Sequence, residues 1–185
     1  MTACAIVSPM AIPMVVRERT DADVEACVEI ARSVHELDGY PAYLPTDLQR
    51  FLVSPDAYTA WVAEQAGTII GHVALHRRST VPVLALAGEA LQQPVERLAV
   101  VARLFVDPSA RRSGAGRTLL DVARRDAVAR GLWPVLDVAT DLHAAIGMYE
   151  GCGWTRLGAV TFRFGEDQSL DEYVYAGPQT PEPTT

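Results

Sequence analysis

The sequence predicts an α+β domain, a mixed and mostly antiparallel β-sheet with helices on both faces. Three observations carry this. A strand, a glycine loop, a helix and a second strand follow one another from Leu98 to Ala139. A hairpin pattern spans 58–76, and two more β-rich runs close the chain, supplying antiparallel partners. Amphipathic segments at helical spacing separate these runs. The chain has 185 residues, nearly half apolar and about a fifth charged, which suits one domain with a sizeable core.

The elements read in the order β-α-α-β-β-β-α-β-α-β-β. Val15–Arg19 is a first strand. Thr20 or Asp21 caps a helix whose apolar stripe is Val24, Cys27, Val28, Ala31 and Val34. The Gly/Pro-containing run 38–45 breaks it, and Thr46 caps a short helix to about Leu52. Residues 58–64 and 68–76 pair around Gln65-Ala-Gly67. Pro82 and Pro94 bracket a Gly-containing apolar run that reads as a long connection with a helical turn near 88–93. Leu98–Val106, rich in β-branched residues, is a strand buried on both faces. Leu119, Leu120, Ala123, Ala127 and Val128 mark a helix that ends near Gly131. Pro134–Ala139 is a strand, 144–154 a helix closing on glycine, and 155–164 and 172–176 are the last strands. The domain spans 15–177, preceded by an extension 1–14 and followed by a Pro/Thr-rich tail, 178–185, expected to be disordered. Met1, Met10 and Met14 are all candidate starts.

The chemistry concentrates at 103–120. A strand that enters a helix through a basic Gly-x-Gly turn is a phosphate cradle, because unpaired amides and the helix dipole face an incoming anion. Gly114 and Gly116 admit the anion to the main chain, and Arg111, Arg112 and Arg117 surround it with positive charge. A P-loop needs Gly-x-x-x-x-Gly-Lys-Ser/Thr, which the chain lacks. A dinucleotide fingerprint needs a third glycine where Leu119 stands. A net charge of −7 argues against broad nucleic-acid binding and suits a cationic acceptor. Cys4, Cys27 and Cys152 show neither metal spacing nor a disulfide framework, so no metal is expected and a reducing cytoplasm fits. Residues 1–14 are a poor signal peptide and too short to span a bilayer.

What remains, Arg111-x-x-Gly114-x-Gly116, resembles the coenzyme A pyrophosphate loop of the GNAT superfamily of N-acetyltransferases, Gln/Arg-x-x-Gly-x-Gly/Ala. Downstream, Ala145-x-x-Met148-Tyr149-x-x-x-Gly153-Trp154 is similar to that family's second signature, Ala-x-x-Leu-Tyr-x-x-x-Gly-Phe. The likeness extends loosely from about Val15 to Gly177. It implies a three-layer fold and an acetyl-CoA-dependent N-acetyltransferase that moves an acetyl group to a primary amine of a small molecule or protein by direct attack on the thioester. The alternative is a catalytically silent coenzyme A-binding sensor or interaction module. By resemblance, main-chain groups of Leu104, Phe105 and Val106 hold the pantetheine arm. Arg111, Arg112, Ser113, Gly114, Ala115, Gly116 and Arg117 hold the pyrophosphate, and Tyr149 is the proton donor to the leaving thiolate. Where the family often carries Asn, this chain has Leu142, with Asp141 adjacent. The acceptor pocket is expected from the first two helices and their link, with His35, Asp38, Tyr40 and Tyr43 suited to a cation. Homodimers are frequent in this fold. No general base is identifiable: Glu89, Glu96, His35, Asp38, His72 and His76 each read more readily as surface or satisfied polar residues than as a base.

Overall fold

The computed structural model describes residues 13–41, 45–164 and 168–180. Tyr43, the extension up to Ile12 and the last five residues lie outside them. Seven strands form one sheet in the order β1-β2-β3-β4-β5-β7-β6. They are β1 (Val15–Glu18), β2 (Ala57–Gln65), β3 (Thr68–His76), β4 (Leu98–Val106), β5 (Trp133–Ala139), β6 (Thr155–Phe164) and β7 (Gln168–Ala176). All neighbours are antiparallel except β4 and β5. The helices are α1 (Val24–Asp38), α2 (Leu48–Leu52), α3 (Val81–Leu91), α4 (Ala115–Ala129) and α5 (His143–Gly151).

The run between Pro82 and Pro94 differs from the expected connection. It is an 11-residue helix, α3, with its proline in the first turn, where a missing N–H costs nothing. The helix ends on Gln92 in the left-handed region, φ 52°, not on a glycine, which is why its end could not be read from the sequence. β7 also begins four residues before the expected Glu172. Residues 168–171 have ladder partners only on β6, beyond the end of β5, so their polar side chains carry no burial pattern. The tail expected to start at Pro178 is held further. Arg124, almost wholly buried, donates from Nη1 to the carbonyls of Pro178 (3.1 Å) and Thr180 (3.3 Å) while its Nη2 pairs with Asp121 (2.6 Å).

Alternation along the strands divides the core into two sides. Ala99, Val101, Leu136, Val138 and Tyr175 pack with Leu119, Leu120 and Ala123 of α4 and with Ile146 and Tyr149 of α5. On the opposite face, Leu98, Val100, Val135 and Val174 meet Val83 and Ala87 of α3. Beside them, Val62 and Phe105 meet Cys27, Ile30 and Val34 of α1. β4 changes phase part-way. Ala74 faces Ala102 but His72 faces Phe105, so Arg103 is an extra residue, with φ 56°. That bulge turns Leu104 and Val106 toward α4 and Phe105 toward α1.

Candidate active site

The site is built where β4 and β5 part. Their ladder covers only three pairs, Leu98↔Trp133, Ala99↔Pro134 and Val100↔Val135. Beyond Val100, β4 continues to Val106 bonded to β3, while β5 continues to Ala139 bonded to β7. The two strands therefore open a gap along the edge that Leu104, Phe105 and Val106 present. The Arg103 bulge beside it is fixed by His72, whose Nδ1 lies 3.0 Å from the Arg103 carbonyl and whose Nε2 lies 3.2 Å from Arg19 Nη1. A carbonyl can only accept and a guanidinium can only donate, so the proton sits on Nδ1 and the ring is neutral. Burial pushes the His72 pKa down to about 3 and that of His76 to about 4. Neither is placed to act as a base at neutral pH.

β4 leads through Asp107 into the basic loop and α4. Arg112 (φ 66°) and Gly114 (φ 90°) both adopt the left-handed conformation, which turns successive N–H groups toward one concavity. Ala115 N–H bonds Ser113 Oγ at 3.3 Å, and Thr118 N–H bonds the Gly114 carbonyl at 3.1 Å. The amides of Gly116 and Arg117, in the first turn, have no carbonyl one turn earlier to bond within the helix. A Cβ on Gly114 would meet nothing within 4 Å, so the loop is open there. Gly116 plays a different part. A Cβ there would lie 3.1 Å from Met148 Sδ and 3.7 Å from Val106 Cγ2, so this glycine lets α4 and α5 pack closely. The residues present fit a diphosphate: open main chain, unpaired amides, a helix dipole and arginines.

Arg111 is not free to face an anion alone. Its guanidinium pairs with both carboxylate oxygens of Asp38, at the end of α1. The structure thus joins a residue expected on the donor side to one expected on the acceptor side. His35 Nδ1 is taken by the Pro41 carbonyl at 2.9 Å, which makes it a support for the turn after α1. Tyr40 does reach the gap. Its phenol is pushed up by burial and hydrogen-bonds the backbone of Arg103, and it feels the charges of Asp137 and Glu172.

Tyr149 comes from the other face. It is buried on α5, 6.3 Å from the Trp154 ring and 6.2 Å from that of Tyr175. Tyr175 in turn donates to Glu150 at 2.9 Å and accepts from Arg156 at 2.9 Å, tying the end of α5 to β6 and β7. Burial raises the Tyr149 pKa, and Tyr40 and Asp137 push it the same way from the opposite side of the sheet. Its phenol stays protonated at any ordinary pH.

Two acidic residues of the site carry no signal in the sequence. Asp137 on β5 accepts from Ser79 Oγ at 3.1 Å, and burial raises its pKa. Glu172 on β7 is 8% exposed and its Oε2 is buried with no hydrogen-bond partner among the described residues. A strand that places charges among Val and Tyr reads as mere alternation, and only register brings Asp137 and Glu172 together. Among the described residues no cluster of three or more His, Cys, Asp or Glu could hold a metal ion, and no helix is long and apolar enough to cross a membrane.

Residues 24–154 match the model of the acetyltransferase (GNAT) family. The chain belongs to that family. It is an N-acetyltransferase, and acetyl-CoA is its acetyl donor. A curated relative, the N-alpha-acetyltransferase RimI of Mycobacterium tuberculosis, is 29% identical over 148 residues, covering 79% of this chain and 81% of its own. The ribosomal-protein-S18-alanine N-acetyltransferase of Escherichia coli shares the fold at 18% identity, with TM-score 0.65 over 92% of this chain and 97% of that one. So does yncA of Salmonella typhimurium, solved with its cofactor acetyl-CoA, at 19% identity and TM-score 0.65 over 92% and 96%. Against this, the reading as a catalytically silent module is not favoured.

Proposed function

We propose that the acetyltransferase acts on a primary amine that enters from the α1/α3 face, while the acetyl donor occupies the gap between β4 and β5. The three-pair β4–β5 ladder, opening at the Gly114 end of α4, carries this reading. The main-chain edge of Leu104, Phe105 and Val106 would hold the pantetheine arm as a further strand. Amides of Arg112, Ser113, Gly114, Ala115, Gly116 and Arg117 would grip the diphosphate, with the Arg112 and Arg117 side chains adding charge. Arg111 contributes by bridging this loop to Asp38. Acetyl-CoA supplies the activated acyl group, and the chain supplies position and protons.

Tyr149 is the proton donor to the sulfur. Its raised pKa keeps a hydrogen available, and it packs on the α4/α5 side of the sheet, opposite the side proposed for the amine. Tyr40, with Asp38 behind it, lines the acceptor entrance, and the acidic pair Asp137 and Glu172 suits an ammonium ion. The RimI relative's name makes a protein α-amine the first acceptor class to try, with small amines beside it. The buried Cys27 thiol of this chain, pushed up to about 12 by burial, is inert and compatible with a cytoplasmic setting.

The test is thiol release from acetyl-CoA across alanine-initiated peptides and small amines. Tyr149→Phe should bind CoA as the wild type does and lose about 100-fold or more in kcat. A Tyr149→Phe protein with undiminished kcat would remove the tyrosine from the mechanism.

A further inference from the structure

Acetyl transfer requires that an ammonium lose a proton before nitrogen can attack, and neither buried histidine near the gap can take it. Glu172 occupies the position such a group needs. On β7 it lies opposite Ala139 of β5, and Val174 lies opposite Asp137. Side chains paired across an antiparallel ladder share a face, so Glu172, Asp137, Val174 and Val135 all look away from α4 and α5. The placement of Val135 and Val174 beside α3 fixes that direction. Glu172 therefore stands at the splayed end of β5, on the side from which the amine is proposed to arrive.

Its carboxylate is also unspent. Most buried polar atoms have a partner, yet Oε2 has none among the described residues, although the residue is more than nine-tenths buried. Asp137, by contrast, is held by Ser79. Groups that face Glu172 with charge or a titratable proton are Asp137 from β5 and, from the end of α1, Tyr40. β6 brings Val160 opposite it, and α3 brings the aliphatic chains of Leu84 and Leu86 to the same side. Among the described residues no cation is paired with it.

We propose that Glu172 is the general base of this enzyme and that Asp137 and Tyr40 complete the pocket for the acceptor's ammonium group. The inference rests on the acetyl-transfer reading given above. One ammonium proton passes to Glu172 Oε2. The freed nitrogen pair forms the C–N bond to the thioester carbon as the C–S bond breaks, its electrons going to sulfur. A second nitrogen proton neutralises the sulfur by way of the Tyr149 hydroxyl, and Glu172 returns its proton to solvent. Burial, reinforced by the Asp137 carboxyl, pushes the Glu172 carboxyl up to about 7, so it is poised between its two forms at neutral pH.

Two measurements test this. In the wild-type protein without ligands, the carbon-13 resonance of the Glu172 carboxyl, assigned by its loss in Glu172→Gln, should titrate near pH 7. A midpoint below about 5 overturns the proposal. With trialanine as acceptor, Glu172→Gln should lower kcat/KM about 100-fold at pH 7 and much less at pH 9.5, where the amine sheds its own proton. An equal loss at every pH marks a structural role and also overturns it. Calorimetry with CoA separates the two readings. If the wild type does not bind CoA, the donor assignment fails. If it binds CoA but leaves trialanine untouched, the peptide α-amine is lost as acceptor, and the base assignment is decided by the carboxyl titration alone.

Discussion

Replacing Gly114 with valine separates backbone strain from ligand contact. At φ 90° an L-residue is strained, costing roughly 1–2 kcal/mol, with a β-branched chain at the upper end. Loss of a flexible glycine from the unfolded chain returns about 0.4–1 kcal/mol. No neighbour lies within 4 Å of the new Cβ, so no packing penalty adds to this. Net destabilisation is therefore about 1 kcal/mol, too little to unfold a domain of ordinary stability. The side chain instead fills the space through which a diphosphate reaches the amides. One lost hydrogen bond to a charged group is worth about 1.5–3 kcal/mol, or about 10- to 150-fold in Kd. Titration calorimetry of CoA against folded Gly114→Val should show that loss, with a melting temperature only a few degrees lower. Wild-type affinity in a folded variant would refute the cradle. Gly116→Ala is the contrast, since its methyl meets the flexible Met148 and should disturb turnover through the adjoining Tyr149 more than CoA affinity.

Two further outcomes concern stability. Arg17 holds the Asp23 carboxyl well below the usual carboxylate range through two 2.8 Å hydrogen bonds. A depressed folded pKa stabilises the protein above the unfolded value of about 4, and that share is lost as pH falls further. Asp23→Asn should cost about 1–2 kcal/mol in denaturant unfolding at pH 7 and show less acid sensitivity below pH 4. Arg124→Met should release the carbonyls of Pro178 and Thr180, so limited proteolysis should clip the C-terminus faster than in the wild type.

The strands and helices that fill the core were legible because burial imposes a period. β3, β4 and β6 begin and end where the sequence suggests, since their apolar runs are bounded by turn residues or charges. α3 was not legible, as its apolar residues point almost all round and its end is a left-handed glutamine. The cradle could be read because its glycines and arginines form a local pattern. That Gly116 serves packing while Gly114 serves access depends on Met148, 32 residues away in sequence, and no local pattern encodes it. The same holds for Glu172. A single acidic residue in a polar stretch of strand carries no signal until register sets it beside Asp137 and leaves its oxygen unmatched. The Arg111–Asp38 pair likewise joins two stretches that the sequence presents as separate pockets.

The extra residue at Arg103 constrains β4 in length more firmly than in composition. Upstream, Leu98 and Val100 tolerate exchange for chains of like volume, because which way they point does not depend on what they are. Removing or adding one residue elsewhere between Leu98 and Val106 would rotate part of the strand by half a turn. Deleting Arg103 itself is the exception: plain alternation from Ala102 would still send Leu104 and Val106 toward α4 and Phe105 toward α1, and what would be lost is the left-handed kink whose carbonyl His72 bonds.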